Sequence, residues 1–126
     1  MPDAHAAQPA GRGLLNQALP ELPVDDAPAA VRYYRDILGF TVNYEQEDLG
    51  VLDRDEIRIL VLKRTPEHTG IGSAYVYVRD VDTLHKELVD KGADVQGEPV
   101  SQPWGLREFS IRDIARNRLT FGQPFE

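Results

Sequence analysis

The chain has 126 residues, which is room for one domain around one core. It contains no cysteine, so disulfides, thiolate nucleophiles and cysteine-held zinc or iron–sulfur centres are excluded. Its formal charge of -7 repels the phosphates of nucleic acid. No apolar run nears the ~20 residues that span a bilayer, and no basic-then-apolar leader opens the sequence. The expectation is a cytoplasmic protein that binds neither nucleic acid nor membrane.

Residues Met1 to Gln17 are rich in Ala, Gly and Pro and have little hydrophobic period. They read as a flexible tail with a short helical turn at Leu14–Leu15. A single domain is expected over residues 18–124. It opens with a short strand, Leu19–Val24, whose two prolines remove ladder donors and place it at a sheet edge or a crossing point. Asp26 then suits a helix N-cap and Pro28 the first turn. Val31, Tyr34 and Leu38 recur at helical spacing on one apolar face. Gly39 fits the left-handed residue just past a helix end. Three strand-like segments follow: Phe40–Glu45, Leu49–Asp53 and Ile57–Leu62. Residues 63–72 are polar, contain proline and glycine, and read as a linker closing a first unit over 18–62.

From residue 73 the pattern begins again. A strand ends at Val78, Asp80 or Asp82 caps a helix with Val81, Leu84 and Leu88 on one face, and Gly92 ends it. Strand segments follow at about Val95–Glu98, Leu106–Arg112 and Arg118–Gln123, separated by turns at Pro103–Gly105 and Asp113–Asn117. Val24-Asp25-Asp26 recurs as Val78-Arg79-Asp80, 54 residues later. A fixed offset near half the ordered chain marks a duplicated unit. The predicted fold class is α+β: two tandem βαβββ units, at 18–62 and 73–124.

Two segments carry a family resemblance. DAPAAVRYYRDILGF, from Asp26 to Phe40, resembles the first-helix signature of the vicinal-oxygen-chelate (glyoxalase/bleomycin resistance protein/dioxygenase) superfamily. QPWGLREFSIRDIARNRLTFGQ, from Gln102 to Gln123, is similar to a segment of its bleomycin-resistance branch. The resemblance implies two βαβββ units building curved mixed sheets. It also implies where a metal would be held in the enzymes of the superfamily: near Leu19, Leu60, Ser73 and Thr120. None of these is a usual ligand, and shifting Leu60 or Thr120 by one residue brings in only apolar side chains. His5 in the tail, His68 in the linker and His85 on the second helix have no ligand partner at helical spacing. The expectation is no metal, no cofactor and no catalytic set.

Without a metal, a curved sheet binds by shape, stacking and hydrogen bonds. Trp104 stands in a Pro-Trp-Gly turn, where exposed or interfacial aromatics often mark binding surfaces. Gly105 beside it lets a ligand approach the backbone closely. The resemblance adds Tyr44 and Tyr75 as stacking surfaces, with a place in the core under the second helix as the competing reading. It adds Asn43 at a position that is acidic in some drug-binding relatives. Of Arg107 and Glu108, which alternate across a strand, one is expected to border the pocket, assigned to Arg107, and the other to make a structural ion pair. The function expected is stoichiometric sequestration of a bleomycin-like or other planar, partly cationic antibiotic by a homodimer. The alternatives are a metal-dependent enzyme of the same superfamily and a ligand-binding module with no drug role.

Overall fold

The computed structural model describes residues 13–125. In its first half, β1 (Glu21–Val24) leads through α1 (Ala27–Asp36) to β2 (Thr41–Gln46), β3 (Leu49–Arg54) and β4 (Ile57–Lys63). In its second, β5 (Ser73–Tyr77) leads through α2 (Val81–Asp90) to β6 (Asp94–Val95), β7 (Val100–Ser101), β8 (Leu106–Arg112) and β9 (Arg118–Pro124). The fold is α+β, two helices on two mixed sheets.

Local chemistry sets the helix ends. The Asp26 carboxylate accepts the Ala29 N–H at 3.1 Å, and Asp80 accepts the Thr83 N–H at the same distance. Asp82 instead lies in the first turn of α2, where its charge meets the positive end of the helix. Both helices stop where glycine supplies a left-handed backbone, Gly39 at φ +79 and Gly92 at φ +85.

Two local expectations are corrected. No strand runs from Val95 to Glu98: β6 ends at Val95, and pairing resumes at Val100 beyond Gly97, whose φ is +98. Leu14–Leu15 form no helical turn; both side chains are fully exposed, and an isolated turn that packs on nothing does not meet its nucleation cost. Most of the expected tail, His5 included, lies outside the described residues.

The first sheet runs β1-β4-β3-β2 and the second β5-β9-β8-β6, with β7 also on β8. The first strand of each sheet pairs in parallel with the last, and the other pairings are antiparallel. The proline-bearing β1 sits at a sheet edge, where a missing N–H breaks no ladder. Alternation then gives each sheet a helix-covered face and an opposite face. Leu22, Leu52, Ile59 and Val61 are buried on the covered face of the first sheet; Phe109, Ile111, Leu119 and Phe121 are their counterparts in the second. Gly50 lies beneath α1, where a Cβ would come 2.4 Å from Val31 Cγ2, so its absence sets how closely α1 packs.

The buried apolar residues of both sheets form one cluster. Each helix also reaches the other half. Tyr34 of α1 donates to Asp113 in the β8–β9 turn at 2.8 Å, and Glu87 of α2 accepts from Arg54 at the β3–β4 turn at 2.7 and 2.8 Å. The covered faces therefore pack together, and the opposite faces are left for function. Among the described residues, no helix is long and apolar enough to cross a membrane.

Candidate functional site

On the opposite face of the second sheet the register sets side chains in rows. Tyr77 of β5 lies beside Gly122 of β9, which lies beside Glu108 of β8 and then Val100 of β7. The next row holds Tyr75, Thr120 and Ser110. Tyr75 crosses the gap between rows. Its hydroxyl donates to Glu108 Oε1 at 2.9 Å, and Trp104 Nε1 donates to the same oxygen at 3.4 Å. Gly122 makes this crossing possible, because a Cβ there would stand 1.8 Å from the Tyr75 hydroxyl. The Tyr75 and Tyr77 rings are 5.3 Å apart and tilted by 59°.

The result is an aromatic platform around a carboxylate. Trp104, Tyr75 and Tyr77 are 63%, 42% and 68% exposed, so none is a core residue. Trp104 owes its place to the turn: Pro103 and Trp104 form it, and Gly105 closes it at φ +89. The Gly105 carbonyl accepts from the Phe125 N–H at 3.0 Å, tying the turn to the end of the sheet. Desolvation, then the hydrogen bond to Glu108 and its charge, push the Tyr75 hydroxyl up to about 12. Tyr75 therefore stays a donor at any ordinary pH. The Tyr75 and Trp104 hydrogen bonds both fall on Glu108 Oε1, and among the described residues Oε2 accepts none.

The other sequence-derived candidates lie apart from this cluster. Arg107 points to the covered face, where its guanidinium meets Asp82 of α2 at 2.9 and 3.1 Å and Ser101 Oγ at 3.3 Å. That bond holds the Asp82 carboxyl below its ordinary range. Tyr44 lies on the opposite face of the first sheet, in a row with Val51, Leu60 and Glu21, and its hydroxyl donates to Gln46 at 2.8 Å. Asn43 occupies a bulge between Val42 and Tyr44 and donates to Asp53 at 3.0 Å; Asp53 also pairs with Arg58 at 2.7 Å. The structure exchanges the expected roles of Arg107 and Glu108, Arg107 making the ion pair and Glu108 joining the platform, and it adds Tyr77, which was not among the expected site residues. Strand parity with Tyr75 was the usable signal for Tyr77; for Glu108, on another strand, parity only separates it from Arg107, and the position of α2 decides which of the two faces it.

The positions that the resemblance implies for a metal are Leu19, Leu60, Ser73 and Thr120, none of them a usual ligand. Leu60 is aliphatic, and the Thr120 hydroxyl is bonded to Ser110 Oγ at 2.8 Å. Among the described residues no three His, Asp or Glu side chains converge as a ligand set. His85 instead bonds the Gly97 carbonyl at 3.2 Å and packs edge-on to Phe109, and His68 bridges to Thr65.

The model of the Glyoxalase/Bleomycin resistance protein/Dioxygenase superfamily matches residues 14–121. A bleomycin resistance protein of Geobacillus stearothermophilus is 25% identical over 129 positions, spanning 87% of this chain and 98% of its own. Among solved structures, the bleomycin-binding protein from the bleomycin-producing Streptomyces verticillus, complexed with copper(II)-bleomycin, is 27% identical. It superposes with a TM-score of 0.76 over 90% of this chain and 99% of that one. Lactoylglutathione lyase from Agrobacterium tumefaciens, 22% identical over 88% and 96% of the chains, has a TM-score of 0.72. That last likeness concerns the fold alone, a fold common to binding proteins and an enzyme.

Proposed function

The chain belongs to the glyoxalase/bleomycin resistance protein/dioxygenase superfamily, and we propose that within it this protein is a metal-free, non-catalytic binder of a bleomycin-like or other planar, partly cationic antibiotic. The observation that carries the proposal is the joining of Trp104 and Tyr75 through one Glu108 oxygen. Planar heteroaromatic rings gain about 0.5–1.5 kcal/mol each by offset stacking on such side chains. The Glu108 carboxylate at the centre of the platform favours a cationic group beside the stacked ring. The names of the bleomycin-resistance and bleomycin-binding relatives support the same ligand class.

The proposal includes a homodimer. Tyr44 and Asn43 lie on the first sheet and Trp104 and Tyr75 on the second, both on faces turned away from the shared core. Two copies meeting first sheet to second would line one groove with both sets. A sedimenting species of 14.1 kDa at micromolar concentration would overturn this part. Elemental analysis finding one divalent metal per chain would overturn the metal-free part.

Titration with bleomycin, followed by Trp104 fluorescence, tests the whole. Saturable quenching at one ligand per chain is the expected result; an unchanged spectrum is the contrary one. Trp104→Ala should weaken binding by about 2 kcal/mol, roughly 30-fold, as loss of an anchoring aromatic does. Because Trp104 is 63% exposed, the denaturant midpoint should scarcely move. A large loss of stability with binding per folded molecule retained would instead make Trp104 a packing residue.

A further inference from the structure

A cavity of about 510 Å³ lies between the two halves on the α2 side; of the platform residues Tyr77 reaches its lining, and Trp104, Tyr75 and Glu108 do not. Its walls are apolar: Phe40 and Ile57 from the first half, and Val78, Leu84, Leu88 and Phe121 from the second. Charged side chains share the lining. Arg54, Asp55 and Glu56 come from the β3–β4 turn, and Arg79, Asp80 and Glu87 from the other half. Asp55, Glu56 and Arg79 are solvent-facing, with side chains at least three-quarters exposed.

This rim is negative. Four carboxylates face two guanidiniums, and both guanidiniums are engaged, Arg54 by Glu87 and Arg79 by Glu56. Asp55 has only a 3.7 Å approach from Arg54, and Asp80 accepts the Thr83 N–H and hydroxyl at the start of α2. The repeat indicates that the fold does not require the space. Offset by 54 residues, Tyr33 and Tyr34 of α1 correspond to Glu87 and Leu88 of α2. In the first case Tyr34 is wholly buried and bonded directly to the opposing turn. In the second, a shorter apolar side chain and an ion pair at the rim leave the cavity beneath.

We propose that this cleft is a second binding site, for a small amphiphilic cation: an aromatic or aliphatic body carrying one ammonium or amidinium group. The body fills the apolar interior, whose volume falls among those of small-molecule pockets. The cation stays at the rim beside Asp55 and Asp80, where the local field favours it.

Methyl-labelled NMR with two probes of similar shape, naphthylethylammonium and naphthylacetate, tests the site. The ammonium should shift the methyl signals of Val78, Leu84 and Leu88 and bind at least about tenfold tighter than the acetate. Asp55→Asn should reduce that preference while tolerating the left-handed backbone at this position, φ 51. Leu84→Trp, which fills the cavity, should abolish the methyl shifts and leave the Trp104 indole signal of the folded protein in place. Shifts confined to Trp104 and its neighbours, equal affinity for the two probes, or no shift at all in the unsubstituted protein would each overturn the proposal.

Discussion

The two helices cross to the opposite half at neighbouring points of the repeat, yet they build contacts of opposite character. On the α1 side the contact is buried and saturated. Tyr34 and Asn117 have no exposed surface and Asp113 has 5%. The Asp113 carboxylate accepts from Tyr34, from the backbone of Ala115 and Asn117, and from the Asn117 side chain, all within 3.0 Å. Asn117 extends the network, donating to the Pro23 carbonyl of β1 at 2.8 Å and accepting from the Gly72 N–H at 2.7 Å. On the α2 side, Arg54 and Glu87 hold each other with side chains 27% and 37% exposed, above the cavity. Duplication thus gave neighbouring positions of the repeat different uses: Tyr34 makes the contact in α1, whereas in α2 it is made by Glu87, the counterpart of Tyr33. A fully satisfied polar network in a dry setting fixes a unique arrangement, whereas a solvated ion pair contributes little stability and leaves room for a ligand.

The largest expected effect comes from breaking the closed side. Asp113→Ala removes the acceptor for four donors and leaves the Tyr34 hydroxyl and the Asn117 backbone N–H buried without that partner. Loss of about 3–5 kcal/mol is expected, read as a lower denaturant midpoint. A loss under about 1 kcal/mol would mean that the turn relaxes into water and that the two sides differ less than their burial suggests.

Much of the fold was legible in the sequence, because its signals are local. Asp26 and Asp80 cap, Gly39 and Gly92 terminate, and the helical spacing from Val31 to Leu38 names the buried face. The contact just described was not, since Tyr34 and Asp113 are 79 residues apart and Asp113 reads from sequence only as the start of a turn. The candidate site was legible to a similar depth. Strand parity separates Arg107 from Glu108, but which of them faces α2 depends on where Asp82 sits. Period-two counting also fails at Tyr44, because the bulge at Asn43 shifts the side chain by one place.

Tyr34→Phe is a milder break on the same side. It removes one donor and leaves the other three on Asp113, so about 1.5–3 kcal/mol should be lost, as for a hydrogen bond to a charged acceptor. It should also alter the alkaline limb of stability. Burial, then the charge of Asp113, holds the Tyr34 hydroxyl well above its ordinary 10.0. The unfolded chain loses this proton first, so the contribution is complete below pH 10 and is lost as pH rises above it. Tyr33 and Tyr75 are raised as well, so the slope in Tyr34→Phe should diminish without vanishing. An alkaline limb identical to that of the unsubstituted protein would show that Tyr34 ionises as freely as a surface tyrosine.

The smallest effect belongs to the open side and has the opposite pH dependence. The hydrogen bond from Arg54 holds the Glu87 carboxyl below its ordinary 4.5, against the smaller effect of desolvation. The folded state therefore binds this proton less readily than the unfolded chain. The stabilisation is present above pH 4.5 and is lost as pH falls through the folded value. Solvent reaches both partners, so the pair contributes only about 0.5 kcal/mol and weakens with salt. Glu87→Gln should lower the neutral-pH midpoint by that small amount and flatten the acid limb below pH 4.5, by about 0.5 kcal/mol, while leaving the alkaline limb unchanged. Raising the salt should shrink the difference between the two proteins. A loss matching that of Tyr34→Phe would mean that the ion pair is sheltered from water in solution, and the cavity beneath it would then be closed to an entering cation.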